Sequence, residues 1–335
     1  MITPLEIHLA RRGEPRAERA YRIIRAAGKV SALTGKWASK LVFHTATSHM
    51  RYIPHGITLR SAGAGSWSLS VAGKTLTPTV PLTDLSGLID KPVSIIASGP
   101  SALDHAWDDL RGGKRFVIAV NGSATILAQV GIKPDLMVVI DDRFCVSGAH
   151  HFAAAAGVPL VIETIAGVTW ATLAPDDFNS RAVVLLERVN SWYAIPRVSA
   201  AELARLNDES GRPWTLPEMM DANFRVGWSA RPEWGFFSGR TVTFAALQVA
   251  VRLGGRDIEI IGMDLGGMDL GGMDLGGMDR AYQEPVNARP SYLQAHYTDF
   301  ILPSFELMSR ALTDTGVRVR NLSPVCPLPR QLFAP

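Results

Sequence analysis

Six short apolar runs constrain this chain more than any other feature: Val93 to Ala97, Phe116 to Val120, Leu136 to Ile140, Leu160 to Ile162, Val183 to Leu186 and Ile258 to Ile261. Each is too short for a buried helix, none alternates apolar with polar residues, and segments of helical periodicity lie between them. Strands that are apolar on both faces must be covered on both faces, and covered strands joined through helices run parallel. The expected fold is therefore an α/β, doubly wound, mostly parallel Rossmann-like sheet. With 47% hydrophobic and 19% charged residues over 335 positions, the chain has the apolar content for such a core and too much of it for disorder.

Residues 1–90 read as a basic N-terminal extension, and residues 91–335 as the Rossmann-like domain with an inserted loop at 265–295. Within the extension, Pro15 to Leu41 has a helical pattern with one cationic and one apolar face. Residues 52–90 are rich in Gly, Ser, Thr and Pro, and place Trp67, Leu69 and Val71 inward against Ser68 and Ser70, as in a small β meander. Residues 1–60 hold 11 Lys/Arg against 3 Asp/Glu, on a chain otherwise slightly acidic. Such an arm fits peripheral contact with an anionic membrane; aromatic residues are not interleaved with its arginines, so nucleic acid is not the expected partner. The first residues lack the apolar core of a signal peptide, and no apolar stretch approaches the roughly 18 residues of a membrane span, so a cytoplasmic protein is expected, peripheral at the inner membrane. Cys145 and Cys326 lack metal-binding or disulfide spacing and read as ordinary semi-buried thiols. Residues 262–279 repeat GMDLG, a period that matches neither a helix nor a strand face; it marks a loop that tolerates added length, with only Asp264 placed at a strand end.

Four segments carry residues suited to chemistry. In SIIASGPSALD a strand runs into Ser98-Gly99-Pro100-Ser101 and then a helix, whose N-terminus offers N–H groups to a phosphate; a structural turn is the plain alternative. It is not a Walker loop and lacks GxGxxG spacing. The next strand ends at Asn121, well placed to read a base, ribose or sugar, and the one after it ends at Asp141-Asp142, which also read as helix caps. Third, Ser238-Gly239 starts an apolar helix that Gly254-Gly255 stops, and the following strand ends in Gly262-Met263-Asp264. Last, His296 opens a helix, where a cap or surface role is the plain reading, and Asn321-Leu322-Ser323-Pro324 ends a final strand.

Taken in order, Gly99-Pro100-Ser101, Asn121, Ser238-Gly239, Ile261-Gly262-Met263-Asp264, His296 and Asn321 to Pro324 resemble the bacterial metal-independent sialyltransferases that use CMP-activated sialic acid. They also resemble the related motility-associated and lipopolysaccharide-core transferases for sialic-acid-like or Kdo sugars. The resemblance covers roughly residues 91–330. It implies a variant GT-A-type fold with a lid at 265–295, and an inverting glycosyltransferase acting on a lipid-linked or lipopolysaccharide acceptor. No cofactor or metal would be required beyond the CMP-activated sugar as co-substrate. His296 would be the general base, and Tyr282 and Tyr292 would hydrogen-bond the departing phosphate. Ser98, Gly99, Pro100, Ser101, Asn121, Ser238, Gly239, Asp264, Asn321 and Ser323 would hold the nucleotide and donor sugar. Two departures stand out: Ser98 replaces the family's asparagine, and the GMDLG expansion falls in the lid.

The Gly-Pro-Ser turn, Ile132-Lys133-Pro134-Asp135 and the Ile-x-Gly-x-Asp strand end also resemble archaeal-type hydroxymethylpterin diphosphokinases. That resemblance implies Mg²⁺ held by Asp135, Asp141 and Asp264. A non-catalytic nucleotide-sugar-binding homologue is the third alternative. The oligomeric state is open.

Overall fold

The computed structural model describes residues 57–63, 66–189, 191–192, 195–196, 199–218, 226–265 and 293–333. The basic arm before residue 57, most of the repeat loop, and Tyr282 and Tyr292 lie outside the described residues. Three strands, β1 (Ile57–Gly63), β2 (Ser66–Val71) and β3 (Lys74–Thr75), form the antiparallel meander. Leu69 points fully into the core, with Trp67 and Val71 packed beside it.

Five strands follow: β4 (Val93–Ile96), β5 (Phe116–Val120), β6 (Leu136–Val139), β7 (Leu160–Glu163) and β8 (Val183–Leu186). Two short antiparallel pairs come next, β9 (Ser191–Trp192) with β10 (Ile195–Pro196) and β11 (Trp214–Thr215) with β12 (Trp228–Ser229). The last strands are β13 (Asp257–Ile261) and β14 (Arg318–Asn321). The main sheet has the order β14-β13-β4-β5-β6-β7-β8, parallel throughout. This is the α/β, Rossmann-like architecture expected from the apolar runs.

The helices are α1 (Asp108–Arg111), α2 (Ser123–Gln129), α3 (Asp142–Ser147), α4 (Ala149–Ala154), α5 (Thr164–Leu173), α6 (Pro175–Asn179), α7 (Ala200–Glu209), α8 (Val242–Arg252) and α9 (Leu302–Leu312). Because side chains alternate across a strand, the runs feed two cores. Ile95, Ile118, Val138 and Ile260 meet Phe244 and Leu247 of α8 and Phe305 and Met308 of α9. Ile96, Val117, Val139 and Ile261 meet Ile126 of α2, Phe144 of α3, Phe152 of α4, Trp170 of α5 and the meander. Phe152 and Trp170 stack at 3.7 Å and 13° between planes, and each such buried side chain contributes about 1.5–3 kcal/mol. Beyond β3 the chain runs along the open edge of the sheet, where Val80 N–H donates to the Val183 carbonyl at 2.9 Å and covers part of the β8 edge.

One polar network lies inside the sheet. Glu259 on β13 accepts from Ser94 Oγ on β4 at 2.6 Å, while Arg115 Nε donates to Ser94 Oγ at 2.7 Å and pairs with Glu259 at 2.9 Å. Burial is tolerated because charge and hydrogen bonds are satisfied together. Burial also raises both thiols, Cys326 to about 11 and Cys145 further, so neither is reactive at neutral pH. Among the described residues, no helix is long and apolar enough to cross a membrane.

The connections decide where a ligand can sit. The chain leaves β4 through a short 3₁₀ turn, Pro100–Asp104, and α1, whose Ala102 and Leu110 belong to the second core; it leaves β13 toward α9, which belongs to the first. Adjacent parallel strands whose connections depart on opposite faces open a crevice at their carboxyl ends. That switch point lies between β4 and β13.

Candidate functional site at the carboxyl edge of the sheet

Gly99 follows β4 and lies directly against the end of β13. Its N–H donates to the Gly262 carbonyl at 2.8 Å, and a Cβ there would come within 2.5 Å of both Asp264 Oδ2 and the Gly262 oxygen. Ser101 N–H donates to Asp264 Oδ2 at 2.7 Å, and Ser101 Oγ donates to Asp264 Oδ1. The Gly-Pro-Ser turn thus differs from the cradle expected of it. No α-helix starts at Ser101, and the donors that would meet a phosphate are taken by Asp264, only 2% exposed. Glycine is needed at 99 because the Asp264 carboxylate fills the space beside it.

The ends of β13 and β14 are stitched in the same way. Met263 N–H donates to Ser323 Oγ at 2.5 Å, Ser323 N–H donates to Asn321 Oδ1 at 3.1 Å, and Leu322 N–H donates to the Ile260 carbonyl at 2.8 Å. Gly262 has φ +75°, and a Cβ there would strike Ala102 and the Ala97 carbonyl. Gly99, Ser101, Asp264, Asn321 and Ser323 therefore form one interlocked rim, with Ser98 and Pro100 in the same turn.

Asn121 ends β5, beside that rim, with φ +47°, a conformation that asparagine tolerates better than most residues. Its N–H donates to the Val138 carbonyl at 3.2 Å, but its buried Oδ1 has no hydrogen-bond partner among the described residues. An orphaned buried acceptor is costly unless something fills it.

Ser238 and Gly239 precede α8, which runs back to the amino end of β13, so they too lie at the carboxyl edge. They form a turn rather than the first residues of a helix: Gly239 and Arg240 have φ +48° and +60°, and α8 is capped by Thr241, whose hydroxyl accepts from Thr243 N–H at 3.3 Å. Ser238 Oγ accepts from Arg240 N–H at 3.4 Å. Arg240 extends over the ring of Phe300, with its guanidinium carbon 5.0 Å from the centroid, and Phe300 meets His296 edge-on at 5.5 Å. His296 closes a 3₁₀ turn (Gln294–His296) and leads into a π-helical turn, Tyr297–Ile301, continuous with α9. The Tyr297 hydroxyl donates to the Pro327 carbonyl at 2.9 Å and holds that turn against the C-terminal segment.

The other half of the edge, over β6 to β8, is charged. Although burial pulls the other way, the Arg143 side chain at 2.6 Å holds the Asp141 carboxyl below its usual range, with a smaller contribution from Arg188. Asp142, 8% exposed, is pushed up to about 6 by burial and by the neighbouring Asp141. Burial raises Glu163 to about 7 against the pull of Arg188 and of the Ala166 and Ile165 N–H groups, which its Oε2 caps at the start of α5. Arg188 reaches over β7 to donate from Nη2 to the Ile140 carbonyl at 3.2 Å. The sequence alone does not single out Glu163, Arg188, Arg240 or Phe300; the available signal is a charged residue at the end of an apolar run, directly after Ile162 for Glu163 and two residues after Leu186 for Arg188.

The raised carboxyls have a testable consequence. A group that binds its proton more tightly when folded stabilises the fold at low pH and loses that contribution as pH rises, here between about 4 and 7. Asp142→Asn is expected to stabilise the protein by on the order of 2 kcal/mol at pH 8, a gain that vanishes toward pH 4. Urea unfolding at the two pH values measures it; an equal gain at both would place its origin elsewhere.

The three aspartates assigned to Mg²⁺ by the diphosphokinase resemblance do not meet. Asp135 precedes β6 and accepts from Val117 N–H at 2.8 Å, at the amino edge of the sheet, whereas Asp141 and Asp264 follow their strands at the carboxyl edge. A four-residue strand separates the two edges by roughly 13 Å.

No protein-family model matches the chain, and no curated protein matches it by sequence. Among solved structures, that of a MAf glycosyltransferase from Magnetospirillum magneticum AMB-1 is similar over 72% of this chain and 33% of that chain, with 17% sequence identity and a TM-score of 0.42. This chain thus spans about a third of the length of the protein to which it is compared.

Proposed function

We propose that the chain is a metal-independent, inverting glycosyltransferase that takes a sialic-acid-like or Kdo sugar from its CMP-activated form. The supporting observation is convergence: segments from residues 98 to 323, separate in sequence, meet at one carboxyl edge around the β4/β13 switch point, while Asp135, needed by the kinase alternative, stands at the opposite edge. In this reading the interlocked Gly99, Ser101 and Asp264 shape the floor of the donor site. Asn121 Oδ1 takes a hydrogen bond from the nucleoside, whose amino and hydroxyl groups supply the donor it lacks.

His296 removes the proton from the acceptor hydroxyl as the new bond to the anomeric carbon forms on the face opposite CMP, and CMP leaves with the electrons of the broken carbon–oxygen bond. Tyr282 and Tyr292 carry the proposal's phosphate contacts and lie outside the described residues. Residues 1–60 keep the enzyme at an anionic membrane surface that bears a lipid-linked or lipopolysaccharide acceptor. The test is transfer from CMP-Kdo and CMP-sialic acid to lipopolysaccharide core acceptors in the presence of EDTA, followed by mass spectrometry. Transfer that survives chelation is the expected result; hydrolysis or transfer only with added Mg²⁺ contradicts the reading.

A further inference from the structure

We propose that Arg240 is a positioning residue that couples the donor turn to His296 through the ring of Phe300. The inference rests on the transferase reading for the role of His296, and on contacts independent of that reading for the coupling itself. Two consecutive left-handed residues, Gly239 and Arg240, turn the chain sharply between Ser238 and Thr241. A side chain on Gly239 would strike the Phe244 ring at 2.7 Å, so the backbone there is confined against α8 and the start of the Arg240 side chain is fixed. From that fixed start the guanidinium lies 5.0 Å from the Phe300 centroid, within the range of a cation–π contact.

Phe300 is itself held on the backbone side, where Ser304 Oγ donates to its carbonyl at 2.6 Å, and its edge-to-face contact with His296 is 5.5 Å at 72°. The imidazole is therefore packed on a ring that also meets a cation rooted in the turn beside Ser238 and Gly239. A phosphate or carboxylate arriving at that turn attracts the guanidinium and competes with the ring for it. Occupancy of the donor turn then changes how Phe300 and His296 sit, so the base is set only when donor is present.

The test uses the histidine Cε1–H resonances of the full-length protein, with that of His296 assigned by comparison with His296→Gln. Arg240→Gln and Phe300→Leu are each expected to shift and narrow the His296 signal. Arg240→Lys, which keeps the cation, returns it toward the wild-type position. Addition of CMP is expected to move the His296 signal in the wild type and to move it at least threefold less in Arg240→Gln. Thermal melts of all variants establish that they fold, and the lysine variant keeps the test decisive if the glutamine variant does not.

A His296 signal that is the same in wild type and Arg240→Gln overturns the proposal, as does a CMP-induced shift that Arg240→Gln leaves intact. A wild-type protein that binds no CMP overturns the transferase reading instead. The ligand-free comparison then still decides whether Arg240 and His296 are linked.

Discussion

Replacing His296 with alanine is expected to lower kcat for sugar transfer by about 10²- to 10⁴-fold, the range supplied by a positioned general base, with little change in CMP affinity. The expectation follows from placement: His296 is tied through Phe300 and Arg240 to the turn at Ser238 and Gly239, and that turn shares the carboxyl edge with the Asp264 rim. A group that acts on the acceptor proton affects the chemical step and not the hold on the nucleotide. Steady-state kinetics of wild type and His296→Ala with a CMP-activated sugar, together with CMP titration of both, separate the two effects. A fall in CMP affinity as large as the fall in kcat would assign His296 to binding, and unchanged kcat would remove it from the mechanism.

Gln248→Leu is expected to cause the largest loss of stability of any single substitution near the site. The Gln248 side chain is fully buried on α8. Its Oε1 accepts from Ser229 N–H and Phe237 N–H, both at 3.1 Å, and its Nε2 donates to the carbonyls of Phe237 at 2.7 Å and Phe244 at 3.0 Å. Leucine fills nearly the same volume but leaves Ser229 N–H and both backbone groups of Phe237 unpaired in an apolar core. At about 1–3 kcal/mol for each unsatisfied group, the loss is expected to reach about 3 kcal/mol or more. Urea unfolding measures it, and a loss under about 1 kcal/mol would mean that the strand and turn rearrange to find other partners. Because Phe237 precedes Ser238, the same substitution loosens the turn at Ser238 and Gly239, and under the proposed function CMP affinity is expected to fall with it.

How far the sequence reveals this molecule depends on the range of the forces involved. The apolar runs Phe116 to Val120 and Val183 to Leu186 match β5 and β8 residue for residue, because burial on both faces leaves no polar position inside a strand to blur its ends. Gly254-Gly255 ends α8 as expected, but its start moves from Ser238-Gly239 to Val242, since left-handed residues at 239 and 240 make a turn that local pattern does not announce. The expected helix after Ser101 is a 3₁₀ turn instead, with its Ser101 N–H occupied by a carboxylate 163 residues away. Gln248 shows the same limit. In sequence it is one polar residue on an apolar helix, and its meaning comes from two segments that only the fold brings to it. Asn121, Asp264 and Asn321 can be placed from the sequence because strand ends can be read; their partners cannot, because those contacts are long-range.

The proposed function requires that the switch point between β4 and β13 hold a cytidine nucleotide without a metal. Calorimetric titration of the purified protein with CMP in EDTA, with ATP plus Mg²⁺ as the comparison, tests it most directly. Saturable CMP binding that chelation does not weaken and that Asn121→Ala reduces is the expected result. Binding of ATP that depends on Mg²⁺, with no affinity for CMP, would contradict it.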